Sequence, residues 1–215
     1  MNTTDIFADN WKSHNDLVDR LKDETGVLET PRIERAFREI DRRDFVRDMY
    51  DVEAYEDYPI PIGQEQTISQ PTTVVYMLEL LSPQEGDTIL DVGCGSGWTT
   101  ALLGEIVGRH GRVVGMEIIE ELAEFGQKNL ARYELPQAEI RHGNPLKEKQ
   151  PEAPFSRILV SAGTNHVPKA LTDQLAVGGV MVIPIDESLV QVKKKSDDEL
   201  LQKEVPGFVF VPLQE

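Results

Sequence analysis

From Thr88 onward, apolar and polar residues alternate between a period typical of strands and one typical of helices. Runs such as Ile158-Leu159-Val160 and Val180-Met181-Val182-Ile183 are apolar on both faces, which is typical of a parallel sheet covered by helices. The pattern predicts strands at 88–92, 112–117, 137–141, 156–161 and 179–184. It predicts helices at 97–108, 119–132 and 167–176.

The residues before Thr88 predict helices and an ordered loop. A short amphipathic helix is predicted over 11–22, with the apolar positions Trp11, Leu17, Val18 and Leu21. A second helix begins at Pro31 with Thr30 as its N-cap, and a third begins at Pro71. Residues 50–70 show no sustained period, so we expect an ordered loop there.

The chain ends in two apolar runs, 189–192 and 207–211, with no helical pattern between them. They predict an antiparallel edge to the sheet. The expected fold is α/β: a doubly wound, mostly parallel sheet with a helical N-terminal lobe and an antiparallel C-terminal edge. We expect one domain over 1–215, with the lobe in 1–70 and the core in 71–215.

The composition narrows the set of partners and compartments. The 215 residues carry 38 acids and 22 bases, a net charge of −16, which disfavours nucleic acid as a partner because phosphates require a basic surface. The basic run Lys193-Lys194-Lys195 is interpreted as the solvated end of a strand. The single cysteine excludes an internal disulfide and a cysteine zinc cluster, and we expect no metal site.

The location is expected to be cytoplasmic. The first ten residues lack the basic and apolar segments of an export signal. No apolar run reaches the ~20 residues that cross a bilayer, so we expect no membrane partner.

Residues 88–98 carry the strongest chemical signal. An apolar strand ending in Asp91-Val92 leads into glycines at alternate positions, Gly93, Gly95 and Gly97, and a helix follows. Such a turn lets a nucleotide-like ligand lie against bare backbone. A dinucleotide-binding GxGxxG motif would need glycine where this chain has Trp98, so the GxGxG spacing favours S-adenosylmethionine over NAD. Glycine turns also occur for purely structural reasons.

Two further strand ends carry polar side chains at this edge of the predicted sheet. Glu117 closes a strand about 20 residues beyond the glycines, where an acid accepts hydrogen bonds from both ribose hydroxyls. Asn144 follows the next strand and offers an amide oxygen to an adenine amino group. Each residue also has a purely structural alternative. Glu117 could be an acid favoured at a helix N-terminus, and Asn144 could form a turn before Pro145. His142 is interpreted as a surface residue.

An upstream run resembles a known family. Thr67-Ile68-Ser69-Gln70-Pro71 is similar to the Thr-Ile-Ser-x-Pro signature of the protein-L-isoaspartate O-methyltransferase family. The resemblance extends over most of the chain, through Arg42-Arg43-Asp44-Phe45-Val46, the loop at 90–97, Val160-Ser161-Ala162 and the closing run 208–213.

The resemblance implies a Rossmann-like fold and S-adenosylmethionine-dependent methyl transfer to the α-carboxylate of L-isoaspartyl residues in damaged proteins. The methyl ester re-forms a succinimide, part of which opens to normal aspartate. Isoaspartyl proteins and peptides are thus the implied partners. The resemblance assigns Ser69 to the carboxylate, so that its hydroxyl holds one oxygen and directs the other towards the methyl group. The residue-based alternative is that Thr67 and Ser69 only cap the helix opening at Pro71.

The same resemblance implies a set of cofactor contacts. Thr67 and Ile68 would line the methionine end, and Gln191 matches a family position near the cofactor. Asp91 could hold the ammonium directly or through water, or could only order the turn. The cofactor-binding residues expected from the sequence and the resemblance together are Thr67, Ile68, Asp91, Gly93, Cys94, Gly95, Ser96, Gly97, Glu117, Asn144 and Gln191.

Four departures from the family pattern leave alternatives open. Asn144 and Ser156 stand where aspartates are usual, Glu65 replaces a glycine, and 163–166 replaces an alanine-rich loop. A methyltransferase for another carboxylate or small molecule remains one alternative. A cofactor-binding homologue with weakened catalysis remains the other.

Overall fold

The computed structural model of the protein describes residues 13–214, so Trp11 and the start of the helix predicted over 11–22 lie outside the described residues. The helices are α1 His14–Asp19, α2 Pro31–Glu39, α3 Pro71–Leu81, α4 Trp98–Val107, α5 Glu120–Leu130 and α6 Lys169–Thr172, with a π-helical turn at Arg20–Glu24 and 3₁₀ helices at Arg42–Phe45 and Asp48–Glu53. The strands are β1 Ile60–Gly63, β2 Gln66–Ile68, β3 Thr88–Val92, β4 Arg112–Glu117, β5 Ala138–His142, β6 Phe155–Val160, β7 Leu175–Ile185, β8 Ser188–Lys194 and β9 Leu200–Pro206.

The main sheet has seven strands in the order β5-β4-β3-β6-β7-β8-β9. Strands β3 to β7 are parallel, while β8 and β9 run antiparallel to their neighbours. The predicted mostly parallel sheet with an antiparallel edge is therefore confirmed. The chain moves outward from β3 to β5 and then returns to β6, so the strand order reverses between β3 and β6. Ligands of such sheets bind at this switch point, beyond the carboxyl ends of the strands.

Two predicted elements at the C-terminal side are wrong. The edge strand is β9, whereas 207–211 lies outside the sheet and approaches Gly163, whose N–H donates to Val211 O at 2.7 Å. Strand β9 is exposed on both faces, so its pairing is made by the backbone and leaves no apolar alternation to detect. The helix predicted over 167–176 shrinks to α6, because β7 already begins at Leu175 and pairs with Phe155.

The basic run at 193–195 also differs from its interpretation as a solvated strand end. Lys194 is buried, and its ammonium donates to Thr172 O at 3.0 Å and to Leu175 O at 3.1 Å. Lys194 thus ties the end of β8 to the chain between α6 and β7.

The N-terminal lobe is continuous with the core of the sheet domain. One buried apolar cluster includes Leu17, Ile33 and Ile60 of the lobe together with Val74 and Leu102 of the helices on the sheet. Residues 50–70, predicted as an ordered loop, contain the β1–β2 hairpin. Within residues 13–214, no helix is both long and apolar enough to span a membrane.

Arg42 anchors the lobe at the point where it meets the sheet domain. Its guanidinium is fully buried and donates to four backbone carbonyl oxygens, those of Ala54, Glu56, Tyr58 and Ser69, at 2.8–3.1 Å. Its Cζ also lies 5.4 Å from the centroid of the Trp98 ring, in cation–π geometry. One side chain therefore fixes the 54–58 loop, the end of the β1–β2 hairpin and the start of α4 relative to one another.

We expect Arg42→Met to destabilise the protein by at least about 1–3 kcal/mol, because the change leaves buried carbonyl groups without their donor. The matched variant Arg43→Met removes an exposed ion pair with Asp51 and should cost about 0–1 kcal/mol. Urea unfolding followed by circular dichroism measures both. Equal losses for the two variants would contradict the anchoring role of Arg42.

Candidate active site

The turn between β3 and α4 is built from glycines in left-handed conformations. Gly93, Gly95 and Gly97 have φ angles of +72°, +50° and +87°. A Cβ on Gly97 would lie 2.8 Å from Ile140 Cδ1 and 3.0 Å from the carbonyl oxygen of Gly126, so there is no room for a side chain. The loop therefore packs tightly against β5 and α5 at Gly97, while Gly93 and Gly95 line open space.

Asp91 lies at the end of β3, beneath the glycine loop, and is fully buried. Its Oδ2 accepts hydrogen bonds from the hydroxyls of Thr99 and Thr100, each at 2.7 Å, whereas Oδ1 has no hydrogen-bond partner among the described residues. Burial raises the pKa of Asp91 to about 6, the negative charge of Glu117 adds to this, and the two hydroxyl donors oppose it. Oδ1 is thus a buried acceptor that lacks a donor.

Glu117 joins the end of β4 to the glycine loop. Its Oε2 accepts from the N–H of Gly95 at 2.9 Å, and its Oε1 accepts from the N–H of Ile119 at 3.0 Å. The carboxylate thus orders both the loop and the approach to α5, and each oxygen keeps a lone pair for a ligand.

Asn144 forms the turn that the alternative interpretation expected. Its Oδ1 accepts from the N–H of Leu146 at 2.9 Å, and its buried Nδ2 has no partner within residues 13–214. The free group at this position is therefore a donor. The exposed His142 contacts Ile118 O through its ring.

These strand ends surround a cavity of about 590 Å³, here called the glycine-loop cavity. The β1–β2 hairpin covers one side of it through Ile62, Gln66 and Thr67, and the C-terminal segment 211–214 covers the other. Glu117 and Asn144 line it together with apolar side chains of Met116, Ile118 and Ile119. Its apolar walls with few polar groups suit a small organic ligand.

A smaller space, the inner cleft, adjoins this cavity and shares Thr67, Gly93, Gly95 and Ser161 with it. Thr67, Ile68 and Ser69 form one wall, and the loop residues Gly93 to Ser96 form the opposite one. The Cys94 thiol is buried, and burial raises its pKa well above the usual value, which makes it unsuited to act as a nucleophile. Ser96 is buried, and its carbonyl oxygen accepts from the side chain of Asn129.

The inner cleft meets an outer groove of about 1270 Å³, which runs between the start of α3 and residues 207–211. Ser69 lines both the inner cleft and the outer groove. The N-cap of α3 is Gln70, and Asp57 accepts from the N–H of Thr72 at 2.9 Å at the first turn. Ser69 therefore does not cap the helix, and its hydroxyl is free of that role.

The structure does not bring Gln191 to this site. Its side-chain amide donates to the carbonyl oxygen of Leu80, at the end of α3, and it lines neither cavity nor groove. The position expected for it near the cofactor is therefore not observed, and it has the contacts of an ordinary strand residue. Within residues 13–214, no group of three or more His, Cys, Asp or Glu side chains is arranged to hold a metal ion.

Three of the four sites at which this sequence departs from the family pattern also lie away from the cavities. Ser156 begins β6 at the opposite end of the sheet, where its hydroxyl bonds to Asp87 and Thr88. Glu65 is exposed at the tip of the β1–β2 hairpin, and the exposed pair Asn165 and His166 lies in the loop after β6. Only Asn144 departs from the family pattern in the wall of a cavity.

The site also contains residues that the sequence did not assign to it. Ser161 lines the glycine-loop cavity, the inner cleft and the outer groove, and the C-terminal residues 211–214 line the first of these. The position of Ser161 at the end of the parallel strand predicted over 156–161 was the available signal, since strand ends collect at one edge of such a sheet.

Comparisons with solved structures reproduce this architecture. A Plasmodium falciparum chain described as a protein-L-isoaspartate O-methyltransferase, solved in complex with S-adenosyl-L-homocysteine, superposes with a TM-score of 0.83 at 25% identity. The superposition covers 94% of this chain and 98% of that one.

Sequence comparisons give closer relatives. The protein-L-isoaspartate O-methyltransferase of Methanopyrus kandleri is 41% identical over 202 residues, covering 92% of this chain and 89% of the relative. That of Pyrococcus horikoshii is 39% identical over 208 residues, covering 94% and 92%. The sequence profile of the protein-L-isoaspartate(D-aspartate) O-methyltransferase family matches residues 12–215. The chain therefore belongs to the protein-L-isoaspartate(D-aspartate) O-methyltransferase family.

Proposed function

We propose that this protein transfers a methyl group from S-adenosylmethionine to the α-carboxylate of L-isoaspartyl residues in damaged proteins and peptides. The observation that carries the proposal is the position of Ser69 in a chain of this family. Its side chain lines the inner cleft beside the glycine loop and also the outer groove, which is open enough to admit a peptide. This position supports a contact between Ser69 and an acceptor that lies close to a cofactor held by the loop.

The residues around the glycine loop fit S-adenosylmethionine. The ligand carries an ammonium, two ribose hydroxyls and an adenine. The cavity wall offers the lone pairs of Glu117 and the Nδ2 of Asn144. Asp91 lies buried beneath the loop and lines none of the three spaces, so it would act on the ammonium through its charge or through a bridging water. Asn144 Nδ2 is buried in the cavity wall and lacks a partner within the described residues, which supports a hydrogen bond from it to a bound ligand. The Asn144 group is a donor, so it suits a ring nitrogen of adenine better than the amino group. When bound, S-adenosylmethionine supplies a methyl group already activated by its sulfonium.

The acceptor side needs positioning more than acid–base catalysis. A carboxylate with an unperturbed pKa near 4 is already ionised at pH 7, so no general base is required. Among the described residues that line the inner cleft and the outer groove there is no Lys, Arg or His. The carboxylate is therefore held by neutral donors, of which the Ser69 hydroxyl is one, and its attacking oxygen keeps its nucleophilicity. Without a histidine beside it, Ser69 is not activated as a covalent nucleophile.

The proposed partners and location follow from the same assignment. Isoaspartyl proteins and peptides are the partners, and the net charge of −16 disfavours nucleic acid. A cytoplasmic location agrees with the single free cysteine, Cys94.

The proposed function is tested with methyl-labelled S-adenosylmethionine and two peptides that differ only in isoaspartate or aspartate at one position. We expect base-labile label on the isoaspartyl peptide and none on its aspartyl control. Equal labelling of both peptides would point to a less selective carboxylate methyltransferase. Tight cofactor binding without transfer to any carboxylate would point to a binding protein.

We expect Ser69→Ala to lower kcat/KM for the isoaspartyl peptide by about 10–100-fold, the usual effect of removing a hydrogen bond to a charged group. The affinity for S-adenosylhomocysteine, measured by isothermal titration calorimetry, should stay within about two-fold, because Ser69 lies on the acceptor side. A large loss of cofactor affinity would instead assign Ser69 a mainly structural role.

We expect the affinity for S-adenosylhomocysteine to rise with pH through about 6. Asp91 is protonated below its raised pKa of about 6 and charged above it, and only the charged form attracts the ligand's ammonium. The ionised fraction grows about ten-fold between pH 5 and pH 7, and the association constant should grow by a similar factor. In Asp91→Asn, binding should be weaker and this rise should be absent. A flat profile in the unaltered protein would show that Asp91 does not meet the ammonium.

A further inference from the structure

Ser161 lies where the glycine-loop cavity, the inner cleft and the outer groove come together. It directly follows β6, and its N–H donates to Val92 O at 2.9 Å, which fixes it beside the end of β3. Only Thr67 shares with it the property of lining the glycine-loop cavity, the inner cleft and the outer groove. Ser161 therefore stands where the proposed cofactor and acceptor spaces meet.

The hydroxyl of Ser161 is buried and has no hydrogen-bond partner within residues 13–214. A buried hydroxyl left in this state costs free energy, and native proteins keep such groups where a ligand or water completes them. The Ser161 hydroxyl is therefore a free hydrogen-bond donor where the proposed cofactor and acceptor spaces meet.

The acceptor site has few free side-chain hydroxyls, and among the described residues that line both the inner cleft and the outer groove they belong to Thr67, Ser69 and Ser161. The hydroxyl of Thr72 donates to Asp57 at 2.7 Å, and that of Thr73 donates to Gln70 at 3.3 Å, so neither is free for a ligand. No cationic side chain lines the inner cleft or the outer groove among the described residues. A carboxylate has about four lone-pair sites, and Ser69 satisfies one of them.

We propose that the Ser161 hydroxyl donates a second hydrogen bond to the acceptor carboxylate, on the oxygen that Ser69 also holds. The inference rests on the proposed function. Two neutral donors on one oxygen orient the carboxylate and leave the lone pairs of the other oxygen free to attack the methyl group. Ser161 is thereby a further catalytic residue that acts on the substrate and not on the cofactor.

The test compares Ser161→Ala with Ser156→Ala, which makes the same change near the opposite end of β6. The Ser156 hydroxyl bonds to Asp87 and Thr88, so its loss should lower stability and leave KM unchanged. Titration of the isoaspartyl peptide into the protein saturated with S-adenosylhomocysteine measures acceptor binding directly. A separate titration measures the affinity for S-adenosylhomocysteine.

For Ser161→Ala we expect acceptor affinity and kcat/KM to fall about ten-fold or more, with S-adenosylhomocysteine affinity unchanged within about two-fold. The Ser69→Ala/Ser161→Ala double variant should lose less than the product of the single losses, because both hydroxyls act on one group. Ser161→Gly also removes the hydroxyl and replaces Ser161→Ala should the latter fail to fold.

Two results would overturn the inference. Unchanged acceptor affinity and kcat/KM in both Ser161 variants would leave the hydroxyl without a role in the reaction. A fall in S-adenosylhomocysteine affinity as large as the fall in acceptor affinity would assign the hydroxyl to the cofactor. If the unaltered protein neither binds nor methylates the isoaspartyl peptide, the proposed function fails and this inference fails with it.

Discussion

The buried guanidinium of Arg42 is the constraint on which the arrangement of the site depends. Its four carbonyl acceptors come from the 54–58 loop and from Ser69, segments with little regular structure of their own. A planar group with five donors in fixed directions can hold such a set in one geometry, and a lysine cannot. Because the Ser69 carbonyl is one of the four hydrogen-bond acceptors, the residue proposed to contact the substrate carboxylate is positioned by a guanidinium buried against Trp98. The N-terminal lobe is therefore part of the active site and not an appendage to the sheet.

The site is divided by charge in a way that matches its proposed ligands. Both buried carboxylates, Asp91 and Glu117, lie at the glycine loop, where a sulfonium and an ammonium would be bound. The acceptor side carries hydroxyls and no cation among the described lining residues. A lysine or arginine there would hold the substrate carboxylate as an ion pair and would also repel the cationic cofactor a few ångströms away. Neutral donors would orient the anion and leave its charge available to attract the sulfonium, which suits the roles proposed for the hydroxyls of Ser69 and Ser161.

The parts of the structure that could be predicted are those with a repeating physical pattern. The parallel strands are apolar on both faces, and the glycine loop needs left-handed backbone, so both leave a local signal in the sequence. Strand β9 has no such signal because both its faces are exposed, while 207–211 is apolar because it packs near Gly163 and Tyr76 rather than in the sheet. The role of Arg42 also leaves no signal in the sequence. Its partners are backbone carbonyl oxygens, which every residue type carries. Gln191 was placed by resemblance alone, and its partner Leu80 is 111 residues away in the chain.

Each departure from the family pattern can affect cofactor binding or methyl transfer only if its position in the fold brings it to the site. Ser156 replaces a charge at the end of β6 remote from the loop and keeps a hydrogen bond to Asp87, so it affects packing and not the site. Glu65 points into solvent from the hairpin tip and therefore places no charge in the acceptor space. Asn144 alone alters a cavity wall, and there it exchanges an expected acceptor for a donor while keeping the turn to Leu146. A change confined to the adenine end leaves the methyl group, Ser69 and the acceptor groove in place, so it bears on how tightly the cofactor is held and not on which group is methylated.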